Sequence, residues 1–239
     1  MSALWRSGIW IGIAALSEMA MIQKLSNCTQ WTAPIIAGAI TTLAYRYIQN
    51  TFRNDVIDKI LLIVLCLYFP LLEVGVLLWW LPLILIVILY KHAYFGLNLR
   101  RFGAIKSIIV SLCWLILNVS LLPISLISNQ RCLWILISEF LMFLCLTAVN
   151  DLFLEATEKT PWKSPVFMRL WMVICGLLSA ILLNITTTNF QITICLTATI
   201  PFALTLLLWR KQYPRNSMRF YWVDGAIILR AWIMFFIAA

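Results

Sequence analysis

Long apolar runs are the feature of this sequence that most constrains its fold. Of its 239 residues, 63% are hydrophobic and only 11% are charged, a composition far outside that of a soluble domain. About 20 apolar helical residues cross a hydrocarbon core of ~30 Å. We therefore predict an all-α integral membrane protein with nine transmembrane helices, at about 8–22, 32–49, 60–72, 74–90, 105–127, 131–149, 166–185, 190–209 and 219–238.

The division between the third and fourth spans depends on the middle of the apolar stretch 60–90. Pro70, Glu73 and Gly75 lie there, and the whole stretch is far too long for a single crossing. Proline interrupts the hydrogen bonding of a helix interior. The sequence thus predicts two short helices joined by a tight turn.

Lysine and arginine residues fall almost entirely on one side of this arrangement. Of the 18, 15 lie at the N-terminus or near the junctions that follow even-numbered spans, whereas Lys24 and Arg131 lie on the other side and Arg230 lies within the last span. Because basic loops are retained in the cytoplasm, we predict a cytoplasmic N-terminus, an external C-terminus and a bacterial inner membrane location. Membrane topology also accounts for the net charge of +9, so no nucleic-acid partner is expected.

The cysteines and the single histidine do not indicate a zinc site. None of the seven cysteines forms a C-x-x-C pair, and His92 has no cysteine near it in the sequence. Cys28 and Cys132 both fall on the predicted external side. They either form a disulfide in an oxidising compartment or remain unpaired thiols.

An acidic run directly follows the sixth predicted span. Asp151, Glu155 and Glu158 fall within roughly 60° of one another on a continuing helix. Like charges at this spacing repel, so the face is unfavourable unless a cation lies on it. The alternative is a solvated helix end with Lys159 and Lys163 as partners.

A second polar stretch follows the second predicted span. Asn54, Asp55 and Asp58 offer amide and carboxylate oxygens, which hard cations such as Mg²⁺ prefer. Asp58 could instead pair with Arg53 or cap the next helix before Ile60. If the first interpretation holds, we expect the ends of the second and sixth spans to lie side by side and share one cation site at the mouth of an apolar cavity.

These two stretches resemble the paired aspartate-rich motifs of the UbiA superfamily of intramembrane prenyltransferases. Asp151 and Glu155 are similar to D-x-x-x-D, Glu158 stands one residue before the third acid, and Thr160-Pro161 looks like a shortened T-x-P. Asn54, Asp55 and Asp58 match N-D-x-x-D, although Leu62 occupies the next acidic position.

The resemblance implies a single domain, 1–239, in which nine helices surround an apolar cavity. It implies Mg²⁺-dependent transfer of a prenyl group from a polyprenyl diphosphate to an aromatic or other lipophilic acceptor, within membrane lipids. Catalytic roles would fall to Asp151, Glu155, Asp55 and Asp58. The metal ligands would be Asn54, Asp55, Asp58, Asp151, Glu155 and Glu158. Phosphate contacts would come from Arg100, Arg101, Lys106, Lys163 and Arg169. Orientation in the membrane explains the presence of these basic residues equally well.

Several aromatic residues at helix ends have two interpretations. Tyr45, Tyr221 and Trp222 would line the cavity of a UbiA-like bundle. Aromatic residues at such positions also anchor helices at the membrane interface.

Two other functions fit the same sequence. The incomplete acidic motifs suit a catalytically inactive UbiA-like protein that binds an isoprenoid lipid. The third is a small transporter whose relay would be Glu18, Glu139 and Arg230. Whichever function holds, we predict that Arg230 pairs with Glu139 or Glu18, because an unpaired guanidinium at mid-bilayer depth costs at least ~2.5–3.5 kcal/mol.

Overall fold

The computed structural model describes residues 8–28, 30–49, 55–69, 74–91, 103–155, 165–186 and 219–237. These residues are helical and contain no strand, which confirms the all-α prediction for this part of the chain. The helices are α1 (Ile9–Leu25), α2 (Thr32–Ile48), α3 (Val56–Tyr68), α4 (Val74–Lys91), α5 (Gly103–Ser120), α6 (Ile124–Ile127), α7 (Gln130–Glu155), α8 (Pro165–Thr186) and α9 (Arg219–Ile237).

Most predicted helices have counterparts among these elements, with two differences. The span predicted at 105–127 ends at Ser120 and is followed by the one-turn helix α6. The helix ends here because proline and the residue before it disfavour continuation of a helix. Pro123 itself is extended (φ −57°, ψ 137°) and directly precedes α6. The predicted span 190–209 lies outside the described residues.

Among the described residues, one helical stretch, Gln130–Ala148 in α7, is long and apolar enough to cross a membrane. Shorter apolar stretches occur at Leu78–Lys91, Ile105–Ser120 and Leu170–Leu182. The count of nine spans stays a prediction.

Helices α1 and α2 form a hairpin with unusually close backbones. A Cβ atom at Gly12 would lie 2.9 Å from the carbonyl oxygen of Gly38, and one at Gly38 would lie 3.0 Å from the carbonyl oxygen of Gly12. Small residues at such a crossing let two helices approach until their backbones touch. Asn27 turns the chain with a positive φ of 54°, which asparagine tolerates better than most residues.

The main core lies where α1, α2, α5, α7 and α9 meet. α7 packs against α5 and α8, and α9 packs against both α1 and α7. Trp114 of α5 stacks on Phe143 of α7, with ring centroids 4.4 Å apart and an interplanar angle of 13°. On its other side, α7 is joined to α8 by the Ser138 hydroxyl, which donates a hydrogen bond to the carbonyl oxygen of Ser179 over 2.8 Å.

Candidate functional site: the acidic helix junction and the cavity beside it

The junction between α2 and α3 is closed by the two aspartates of the first predicted motif. The backbone N–H of Asp58 donates to Oδ1 of Asp55 over 3.1 Å, and the backbone N–H of Asp55 donates to Oδ2 of Asp58 over 3.3 Å. This reciprocal arrangement is a capping box, which satisfies backbone donors in the first turn of a helix. The N-cap is Asp55, and Asp58 lies within the first turn of α3. Asp58 therefore takes part in capping, but it is not the cap before Ile60 that the sequence suggests.

Arg46, in the last turn of α2, pairs with both of these aspartates. Its Nε donates to Oδ1 of Asp58 over 2.5 Å and its Nη2 to Oδ2 of Asp55 over 2.7 Å. Arg46 and Asp58 are buried, whereas the side chain of Asp55 is 45% exposed. The pKa of Asp55 lies below its usual value, chiefly because the Asp58 backbone N–H donates to it and also because Arg46 lies beside it.

This geometry does not suit a cation site at the α2–α3 junction. Every side-chain oxygen of Asp55 and Asp58 already accepts a hydrogen bond from a guanidinium or a backbone N–H, and the guanidinium would repel a divalent ion. Within the described ranges, no three His, Cys, Asp or Glu residues are grouped so that they could hold a metal. In this arrangement the two aspartates serve as structural partners of Arg46.

The structure gives no side-chain geometry for the other residues of the predicted cation site. Asn54 and Glu158 lie outside the described residues, and Asp151 and Glu155 are described only as part of the helical backbone of α7. That backbone does continue as a helix through Glu155, as expected. Whether the two motifs share one site therefore stays a prediction.

An apolar cavity of about 250 Å³ lies beside the junction, bounded by α2, α4 and α5. Tyr45 and Gln49 of α2 contribute to its wall together with Lys106 of α5 and Thr147 of α7. Of the two roles considered for Tyr45, the structure shows that it lines a cavity. The remaining lining residues are Ile11, Ile40, Thr41, Ala44, Ile48, Leu83, Ile86, Val87, Tyr90, Ser107, Ile109, Val110, Cys113, Trp114 and Leu117.

A larger apolar groove of about 480 Å³ runs between α2, α3 and α4 and shares wall residues with the cavity. Ile40 and Leu83 belong to both. Tyr47 lines the groove, and the ammonium of Lys91 lies 3.6 Å from the centroid of its ring, a cation–π contact. The two spaces are therefore neighbours separated by a few shared side chains.

Of the five basic residues predicted to contact phosphates, only Lys106 has a described side chain, and it lines the cavity. Arg100, Arg101 and Lys163 lie outside the described residues, and Arg169 is described only as helical backbone in α8. Tyr221 and Trp222 are likewise described only as backbone, in α9.

A second charged cluster lies in the core, where Arg230 of α9 meets two glutamates. Nη1 of Arg230 donates to Oε2 of Glu139 over 2.7 Å, and Nη2 donates to Oε1 of the same carboxylate. Nη1 also lies 3.6 Å from Oε1 of Glu18. The prediction that Arg230 is turned inward and paired with an acid is confirmed.

The two cysteines considered for a disulfide are free thiols in this structure. Cys132 is buried at the start of α7, and the hydroxyl of Ser26 lies 3.7 Å from its sulfur. Of the two outcomes left open for Cys28 and Cys132, the structure has the unpaired one.

Sequence reasoning missed Arg46 as the partner of the acidic junction. The sequence offers only Arg53 or a capping role for Asp58, and Arg53 lies outside the described residues. Arg46 precedes Asp58 by 12 residues, and only the packing of α2 against α3 brings them together. An arginine in the last turn of a span, shortly before an acidic helix start, is the signal that could have indicated the pair.

Comparisons of the chain with protein-family models, with curated proteins and with solved structures give no match.

Proposed function

We propose that this chain is a multi-pass membrane protein of UbiA-like architecture that binds the hydrocarbon chain of an isoprenoid lipid in the cavity between α2, α4 and α5. The observation that carries the proposal is the apolar cavity with Lys106, Gln49 and Tyr45 in its wall. Together with the adjoining groove, its volume falls in the ~300–1,000 Å³ range of small-ligand sites.

The distribution of polar and apolar side chains supports a membrane location. Charged residues such as Glu18, Glu139 and Arg230 are buried, while large apolar side chains face outward on α3, α4 and α8. A soluble protein rarely exposes apolar patches of this extent, whereas lipid solvates them. The outward-facing residues on these three helices are Val56, Ile60, Leu62, Ile63, Leu67, Leu78, Trp79, Leu81, Ile84, Leu85, Leu170, Ile174, Leu177, Leu178 and Ile181.

Lipid binding is preferred over catalysis because of Arg46. A protein that only binds an isoprenoid has no need of a divalent ion at the α2–α3 junction, and Arg46 occupies the aspartates that would hold it. The proposed orientation keeps the N-terminus in the cytoplasm of a bacterial inner membrane, and the basic residues favour that side.

The test is photocrosslinking of the purified protein in detergent to a geranylgeranyl lipid that carries a diazirine. Val110 lines the cavity, and Leu112, two residues away on α5, is exposed on the outer surface. Val110→Trp places an indole in the volume that the lipid would occupy and should reduce labelling roughly tenfold, which corresponds to ~1.4 kcal/mol of binding free energy. Leu112→Trp should leave labelling unchanged, and equal labelling of both variants would refute the cavity as the binding site.

Magnesium-dependent prenyl transfer is a second candidate, favoured by the course of α7. Thr147 lines the cavity, and α7 continues unbroken to Glu155, so position 151 lies one helical turn beyond it on the same face. In this reading Asp151, Glu155, Asp55 and Asp58 are the catalytic acids. Asp55 and Asp58 would have to release Arg46 before they could accept a cation.

The catalytic candidate is tested by release of diphosphate from a panel of polyprenyl diphosphates, with Mg²⁺ or with EDTA. Asp151→Asn should abolish any Mg²⁺-dependent release without changing the labelling of the cavity by the diazirine lipid. If wild-type protein is labelled but releases no diphosphate, lipid binding stands and catalysis is excluded.

A further inference from the structure

The cluster formed by Glu18, Glu139 and Arg230 contains two carboxyl groups and one guanidinium in the protein core. All three side chains are at most 1% exposed. The carboxyls of Glu18 and Glu139 are neighbours as well as partners of the same arginine. If both acids were ionised, the cluster would carry one uncompensated negative charge away from water, which is strongly unfavourable.

The two carboxyls are not equivalent in their contacts. Glu139 binds Arg230 with both of its oxygens, one to each Nη atom, which is the strong bidentate geometry. Glu18 has only the 3.6 Å approach to Nη1, and neither of its oxygens has a hydrogen-bond partner among the described residues. The contacts therefore stabilise the negative charge on Glu139, whereas Glu18 lacks contacts that would stabilise a charge.

Other described charges on the same helices are too distant or too exposed to balance the cluster. Lys24 of α1 and Arg131 of α7 are exposed near helix ends. Asp224 of α9 is buried, is itself an acid, and lies six residues before Arg230, about 9 Å along the helix axis. No described cation besides Arg230 is positioned to compensate Glu18.

We propose that this cluster is a buried proton-binding site in which Glu18 holds one proton, so that a neutral acid, a carboxylate and a guanidinium join α1, α7 and α9 without net charge. The proton comes from solvent and makes Glu18 a hydrogen-bond donor, which removes the repulsion between the two carboxyls. None of the three side chains of the cluster lines the cavity, and Glu139 lies eight residues before Thr147, the cavity residue of α7, about 12 Å along the axis. The site is thus separate from the cavity, and it does not depend on the proposed lipid binding.

The experiment is infrared spectroscopy of the purified protein in detergent at neutral pH, reading the carbonyl stretch of protonated carboxyl groups. Glu18→Gln replaces a neutral acid with a neutral amide of the same shape. The difference spectrum between wild type and Glu18→Gln should show the loss of one protonated carboxyl. As a control, the same difference is measured in protein that carries Asp224→Asn, which removes a buried acid of α9 outside the cluster. The signal lost with Glu18→Gln should be unchanged there.

Two further variants count the protons in the cluster. In Arg230→Gln the cation is absent, so both glutamates should be protonated and the signal assigned to the cluster should double. In Glu139→Gln, Glu18 should ionise to pair with Arg230 and the signal should vanish. Absence of a protonated carboxyl in the wild-type difference spectrum would refute the proposal.

Thermal unfolding distinguishes which glutamate holds the proton. Glu18→Gln should keep the melting temperature of the wild type, because the neutral form is retained. Glu139→Gln removes the bidentate anion and should lower the melting temperature by roughly 10 °C. If Glu18→Gln proves the more damaging of the two, or if Glu139→Gln leaves the melting temperature unchanged, the assignment of the proton to Glu18 is wrong.

Discussion

The α2–α3 junction and the core cluster have the same chemical composition and different surroundings. Each contains one arginine and two carboxyl groups: Arg46 with Asp55 and Asp58, and Arg230 with Glu18 and Glu139. At the junction, Asp55 is 45% exposed, and both aspartates also accept backbone hydrogen bonds. In the core, all three side chains are buried and no such donors are present for Glu18.

The comparison shows how water and backbone donors decide the charge that a cluster can carry. At the junction the excess negative charge is solvated at Asp55, and the Asp58 backbone N–H and Arg46 lower the pKa of that carboxyl, so it stays ionised. In the core an excess charge has no solvent, and a proton is the least costly way to remove it. One arginine with two carboxyl groups therefore forms a helix cap in one place and a proton site in the other.

The largest expected effect is loss of Arg230. Arg230→Met leaves Glu139 buried without its cation and should reduce the free energy of unfolding by about 3–5 kcal/mol, measured by thermal unfolding in detergent. The double variant Arg230→Met with Glu139→Gln should regain part of that loss, because the glutamine is neutral in the core without taking up a proton. Arg131→Met, at an exposed position of α7, is the control and should change stability little. Equal losses in the single and double variants would contradict the ion pair as the cause.

A smaller effect is expected at the junction, from Asp58→Asn. Asp58 is fully buried and bonded to Arg46, so neutralising it should cost about 2 kcal/mol, as for a hydrogen bond to a charged group. Asp55→Asn should cost less, because Asp55 is partly exposed and its loss is compensated by water. Chemical or thermal unfolding of the two variants side by side gives the comparison. The reverse order would show that the cap, and not the buried pair, dominates the junction.

The smallest expected effect is the loss of stability at low pH that Asp55 causes. The pKa of Asp55 is lowered in the folded protein by the Asp58 backbone N–H and by Arg46, so its contribution to stability is present above its unfolded pKa of ~3.9. That contribution is lost as the pH falls through the lower, folded pKa. Melting temperatures measured from pH 6 downward should fall more steeply for wild type than for Asp55→Asn. Parallel curves would remove Asp55 from the account of acid stability.

Arg230 illustrates what could be predicted from sequence. Its depth within an apolar run made an inward orientation and an acidic partner the only inexpensive arrangement, and both were found. The choice of Glu139 over Glu18 as the bidentate partner could not be predicted, because it depends on how α7 and α9 pack. The cavity wall was predictable only where a candidate such as Tyr45 or Lys106 lay at the end of a span.

The sequence by itself determined that the described part of the chain is helical and that its helices are apolar, because these properties depend on residue type and on periods of a few residues. It also located the acidic stretch between the second and third spans and one of the two buried arginines, Arg230. Only the tertiary structure decided that Arg46 would bind Asp55 and Asp58. That contact joins side chains of α2 and α3, and the free energy of such a contact depends on distance and burial, which no local pattern of residues contains.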